Sequence, residues 1–287
     1  MLARDVLIMV APNGARRSKA DHAGLPLTPF ELAGTARACM DAGAAAIHLH
    51  VRDGTGAHSL DAGLYREAVA AVREATGEGF VIQITTEAVG RFTPRDQAAC
   101  IRAVDPEAVS IALREIVPDR AAEADAAELF AWMEETGVAP QIILYEPAEV
   151  GALLELTERR IVSAHSSSLL FVLGRYTAGQ QSTPADLDPF VAALHGRTIP
   201  WSVCAFGRSE AACALRAASL GGHIRVGFEN NLHLPDGTTA RSNAELVAAT
   251  VRELEGAGFR PMQAGAARRV LRCRVPGGDR GRASSRS

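Results

Sequence analysis

The segment Ile47-His48-Leu49-His50 sets two imidazoles two residues apart at the end of a short apolar run. Strand side chains alternate faces, so His48 and His50 point the same way. Two imidazoles on one strand face can share a divalent ion. A pair of core or surface histidines has the same spacing, so the reading needs a third ligand. The stretch Gly221-Gly222-His223-Ile224-Arg225-Val226-Gly227-Phe228-Glu229-Asn230-Asn231 offers one in Glu229. Alone, Glu229 reads as a loop or capping carboxylate. With the two histidines it completes a His2Glu set with an open position, which is a catalytic zinc arrangement. Arg225 sits inside an otherwise apolar run, where an unpaired guanidinium is costly. Its partner is either a protein carboxylate or the carboxylate of a substrate.

Other chemistries are poorly supplied. Lys19 is the only lysine, in a loop rich in Gly, Arg and Ser. Schiff-base and pyridoxal chemistry need a buried amine, so carbonyl chemistry here would rely on a metal. The cysteines Cys39, Cys100, Cys204, Cys213 and Cys273 are scattered, without C-x-x-C spacing. They read as apolar fillers in a reducing compartment.

For His48, His50 and Glu229 to meet, their runs must be neighbours. Eight runs of strand length occur: Val6 to Ala11, Ala45 to His50, Phe80 to Thr85, Ala108 to Leu113, Gln141 to Tyr145, Leu169 to Leu173, Trp201 to Ala205 and His223 to Phe228. Segments of helical period alternate with them, from Pro29 to Ala42 through Asn243 to Gly256. Thr28-Pro29 and Thr93-Pro94 carry an N-cap hydroxyl and a first-position proline. Eight such units predict a (β/α)8 TIM barrel in a single domain, with a doubly wound sheet as the alternative. In a barrel the eighth strand neighbours the first and the first neighbours the second, so Glu229 reaches the two histidines. Polar residues stand at nearly every strand exit, including Asn13, Arg16, Thr85, Glu87, Glu115, Glu146, Arg175 and Arg208. That is the expected mouth of a barrel enzyme.

The barrel is expected over residues 1–260. Residues 261–287 read as a poorly ordered tail rich in Arg, Gly and Ser. With Arg260 that end holds eight arginines and one acid, Asp279. The net charge of −3 gives no global field for nucleic acid, and no apolar run approaches the roughly 20 residues of a membrane span. A cytoplasmic protein is the default, with neither nucleic acid nor membrane as partner.

The runs APNGARRSKADH (Ala11 to His22), LPLTPFELA (Leu25 to Ala33), AGAAAIHLHVRD (Ala42 to Asp53), ITTEAVGRFTP (Ile84 to Pro94), FVLGRY (Phe171 to Tyr176) and GGHIRVGFENN (Gly221 to Asn231) resemble the β-keto acid cleavage enzyme family. The resemblance spans roughly Val6 to Val251. It implies a zinc-dependent barrel, usually a homotetramer, that turns a β-keto acid and acetyl-CoA into acetoacetate and a new acyl-CoA. It implies zinc on His48, His50 and Glu229, a catalytic Arg225 and a substrate-contacting hydroxyl at Thr85. Three positions depart from the type member. Arg16 replaces a glutamate that recognises a substrate amine, Glu115 replaces a threonine, and Asn230 replaces the aspartate proposed as base. An amide cannot take up a proton near neutral pH. Glu115 is therefore the expected base or substrate contact, with Glu87 next and Glu146 also available. Asn13, Thr85, Glu87, Glu115, Arg225 and Asn230 are the expected substrate contacts. A zinc hydrolase or lyase on a small carboxylate, and an impaired barrel used for binding, are the rival readings.

Overall fold

The computed structural model describes residues 4–163 and 165–274. Eight parallel strands close into a barrel: β1 (Ile8–Val10), β2 (Ala46–Leu49), β3 (Val81–Thr85), β4 (Ala108–Ala112), β5 (Ala139–Leu144), β6 (Ser168–Leu173), β7 (Trp201–Ala205) and β8 (His223–Val226). Strand order follows chain order, and β8 pairs with β1. The (β/α)8 expectation holds and the doubly wound sheet is excluded. The crossover helices are α1 (Pro29–Asp41), α2 (Ala62–Thr76), α3 (Pro94–Val104), α4 (Glu123–Thr136), α5 (Pro147–Glu158), α6 (Asp188–Ala193), α7 (Glu210–Leu220) and α8 (Asn243–Gly256). Thr28 and Thr93 cap α1 and α3 with both arms of a capping box. No helix among the described residues is long and apolar enough to cross a membrane.

Alternation along the strands explains both the core and the site. Ile47, Leu49, Ile82, Ile84, Val109, Ile111, Phe171 and Leu173 face outward and bury against the helices. Fully burying each such side chain stabilises the fold by about 1.5–3 kcal/mol, which makes this ring the main cohesive layer. The opposite parity points inward and is polar halfway up: His48, Gln83, Ser110, Gln141 and Ser168, all buried. Below them come Ala46, Val81, Ala108 and Ala139, mostly too small to fill the barrel's lower end.

That deficit corrects the expected boundary at residue 260. Phe259–Pro261 pairs in parallel with Arg4–Val6, and a further helix, α9 (Ala264–Leu271), packs beneath the barrel. Met262, Ala267, Leu271 and Cys273 fill the space under the small inward residues. Arg268, only 4% exposed, anchors α9 by a 2.6 Å ion pair to Glu107. The density of arginines hid an apolar stripe of helical period. Residues 275–287 lie outside the described residues.

Candidate active site

The three expected ligands come from two strand ends. His48 is the last inward residue of β2, and His50 follows one residue beyond it. Glu229 lies three residues past β8, where Gly227, at φ +140, turns the chain over Ala11. A Cβ on Gly227 would stand 2.4 Å from the Ala11 carbonyl oxygen, so only glycine permits this turn. The Nε2 atoms of His48 and His50 are 3.1 Å apart. Glu229 Oε2 lies 3.5 Å from the first and 3.4 Å from the second.

This geometry fits a cation. His48 Nδ1–H donates to Gln83 Oε1 at 2.8 Å, which leaves its Nε2 lone pair bare toward His50 and Glu229. Gln83 is oriented in turn, because its amide donates to Gln141 Oε1 at 3.2 Å. Glu229 Oε2 is buried without a hydrogen-bond partner. Burial, then Arg225, lowers the His48 pKa to about 4, so the ring is neutral at pH 7. Burial likewise pushes His50 well down. Burial alone would raise the Glu229 carboxyl, but the Arg225 guanidinium beside it outweighs this and holds it well below the usual range. Two neutral imidazoles and a carboxylate thus converge, and the spacings suit ligands about 2.0–2.2 Å from one ion.

Arg225 resolves one choice left open by the sequence. Its Nη2 donates to Glu229 Oε1 at 3.1 Å and contacts Cys204 Sγ at 3.3 Å. The partner is a protein carboxylate, yet Nε and Nη1 are buried with no acceptor. Those two nitrogens retain capacity for a substrate oxygen.

The cavity above has a volume of about 120 Å³ and includes Arg16, Arg17, Glu87, Tyr145, Arg175, Phe206 and Glu229 in its lining. Glu87 Oε2 is 4.0 Å from His50 Nδ1. Its Oε1 is 3.4 Å from Arg175 Nη2 and 3.9 Å from Arg16 Nε. Burial and then Glu229 push the Glu87 carboxyl up to about 7, against the pull of Arg175 and Arg16.

The remaining expected residues divide. Glu115 is not among the described residues lining this cavity. Its Oε2 accepts from the Ala88 amide at 2.9 Å, which supports the loop carrying Glu87. Burial raises its pKa. Glu146 is exposed and pairs with Arg114 at 3.2 Å. Thr85 lies one inward position above Gln83, and its Oγ1 accepts from the Glu87 amide at 3.1 Å. Asn13 lines the cavity. Its amide donates to Pro26 O at 3.0 Å and His50 O at 2.9 Å, so both hydrogens are spent on fixing His50. Asn230 is 1% exposed, and neither of its amide atoms has a partner. Lys19 pairs with Glu31 at 2.6 Å and does not line the cavity. The five cysteines are buried and free. Sequence reasoning missed Gln83, although a glutamine at inward parity in an apolar strand carries the same signal as Arg225.

The model of the β-keto acid cleavage enzyme family matches residues 5–272. The chain is 28% identical over 252 residues to the 3-keto-5-aminohexanoate cleavage enzyme of Acetoanaerobium sticklandii, covering 86% of this chain and 90% of that protein. It is 25% identical over 280 residues to the 3-oxoadipate:acetyl-CoA acetyltransferase of Cupriavidus necator, covering 94% and 95%. Among solved structures, apo ObcA superposes with a TM-score of 0.71 at 19% identity, over 88% of this chain and 66% of that longer one, a likeness of fold. A match across the barrel from Asp5 to Arg272, met by a His-His-Glu cluster where the motifs fall, makes this chain a member of the β-keto acid cleavage enzyme family.

Proposed function

We propose that the protein is a zinc-dependent enzyme that condenses a β-keto acid with acetyl-CoA to give acetoacetate and the acyl-CoA of the remaining fragment. The observation that carries this reading is the convergence of His48 Nε2, His50 Nε2 and Glu229 Oε2 beside a buried Arg225 with two unspent donor nitrogens. The relatives named as acetyl-CoA transferases of keto acids support it.

His48, His50 and Glu229 would hold the ion, which supplies Lewis acidity toward the ketone oxygen. Arg225 binds the substrate carboxylate through Nε and Nη1. Glu87, poised near neutrality at the cavity wall, takes the proton from C2. The C2 carbanion attacks the acetyl carbonyl carbon, and CoA leaves as its thiolate. That thiolate attacks the former ketone carbon. The bond between this carbon and C2 breaks, Glu87 returns its proton to C2 as acetoacetate departs, and the thioester of the shortened acid remains. Tyr145 and Phe206 supply apolar wall that limits competing hydrolysis.

A panel of β-keto acids assayed with acetyl-CoA tests the proposal through acetoacetate formation. Keto acid consumption without acetyl-CoA would replace it with a hydrolase. The same reading takes the protein to be a cytoplasmic homotetramer, for which sedimentation equilibrium measures the assembly state.

A further inference from the structure

Beside the catalytic cavity lies a second one of about 130 Å³, whose lining includes Arg17, Gln180, Gly207, Arg208, Asn230 and His233. The two cavities share Arg17 and Gln180. Their electrostatics differ. The catalytic cavity sets Glu87 and Glu229 among its arginines, whereas no Asp or Glu among the described residues lines the second.

Two side chains in the second cavity lack what their chemistry requires. Arg17 is half-buried, and burial pulls its pKa below the ordinary value. Asp21, Glu210 and Glu229 act on it only through the field, and no carboxylate among the described residues pairs with it. A desolvated guanidinium without an anion is costly. Asn230 is 1% exposed, and both Oδ1 and Nδ2 are unpartnered. Its amide can donate two hydrogen bonds. Arg208 adds a second permanent cation.

We propose that this cavity is an anion subsite, in which Arg17 and the Asn230 amide receive a carboxylate or phosphate group of a ligand extending from the catalytic cavity. The inference rests on the reaction proposed above, which brings two reactants able to carry such a group. One is a β-keto acid with a second carboxylate at its far end. The other is CoA, through its phosphates.

Steady-state kinetics on wild type, Arg17→Met and Arg17→Lys separate the sources. The reactants are a dicarboxylic and a monocarboxylic β-keto acid of equal length, and acetyl-CoA against acetylpantetheine, which lacks the phosphates. Arg17→Met is expected to raise KM about tenfold or more for one charged reactant, as loss of a charged hydrogen bond does. KM for its counterpart stays within about twofold, and Arg17→Lys recovers part of the loss. A shift confined to the dicarboxylic acid assigns the keto acid, and one confined to acetyl-CoA assigns the phosphates. An equal rise for charged and uncharged reactants, or none, overturns the subsite. Calorimetric titration with inorganic phosphate and with succinate needs no turnover. A chain inactive on every keto acid that still binds either anion in an Arg17-dependent way removes the reaction and keeps the subsite. An active chain whose KM values and anion binding both ignore Arg17 removes the subsite alone.

Discussion

Gly14 passes so close to Glu229 that a Cβ on it would stand 2.6 Å from Glu229 Cγ. Its φ of +63 also disfavours any other residue. The loop cannot simply withdraw, because Arg52 donates from Nη2 to the Gly14 carbonyl oxygen. Gly14→Ala should displace Glu229 and lower bound metal while leaving the barrel folded. Elemental analysis of purified wild type should find about one zinc per chain, with clear loss in His48→Ala and Glu229→Gln. Full metal in both of these variants would show that the ion lies elsewhere.

Glu87 and Glu115 occupy different situations, and kinetics should separate them. Glu87 lines the cavity, whereas Glu115 is engaged by the Ala88 amide. Glu87→Gln should lower kcat roughly a hundredfold or more with zinc retained, as removal of a general base does. Glu115→Gln should cost less, through looser support of the Glu87 loop. The reverse ranking would return the proton to Glu115.

Arg16 stands 3.9 Å from Glu87 with an exposed side chain on the cavity wall. Its charge opposes a substrate ammonium, although solvent and salt weaken the effect. Uncharged or acidic β-keto acids should therefore show higher kcat/KM than an amino-bearing analogue. Faster turnover of the amino compound would contradict this, as would an Arg16→Glu variant without any gain for it.

Glu210 predicts a pH dependence of stability. It is buried at the start of α7 and accepts from the Gly227 amide and from Asn231 Nδ2, each at 3.1 Å. Burial pushes its pKa from the ordinary 4.5 up to about 8. The folded state thus binds this proton more tightly than the unfolded chain. The resulting stabilisation is complete below about 4.5 and is lost as pH rises through about 8. Glu210→Gln cannot ionise and lacks that slope. Its Tm should gain on wild type between about pH 5 and pH 8. Parallel Tm curves would mean the carboxyl is already ionised in the folded protein.

Leu271 is 1% exposed in the helix beneath the barrel. Leu271→Ala should cost about 2–5 kcal/mol. Thermal unfolding would then fall by roughly 5–15 °C, with zinc content unchanged. An unaltered Tm would mean that α9 contributes little to holding the barrel.

Much of this was legible in the residues. β7 runs from Trp201 to Ala205 as expected, because its alternation is bounded by Pro200 and the Gly207 turn. The convergence of His48, His50 and Glu229 followed from parity at the two histidines and from the closure of β8 onto β1. What stayed hidden depends on partners distant in sequence. The spent amide of Asn13 is visible only once His50 and Pro26 surround it. The hairpin of Val51–Arg52 and His58–Ser59 is too short for a periodic signal. The role of α9 could not be read from its arginines, since one of them is buried against a glutamate 161 positions earlier.

The helix under the barrel also sets an order of events in the cell. A ribosome delivers His48 early and Leu271 late. All eight strands can emerge, and the seam between the last and the first can close, while the lower mouth still opens to water. Until residues 262–273 arrive, Leu7, Met9 and Val81 keep an apolar well facing solvent. Nascent chains halted just short of that point should be the ones that chaperones hold and proteases cut.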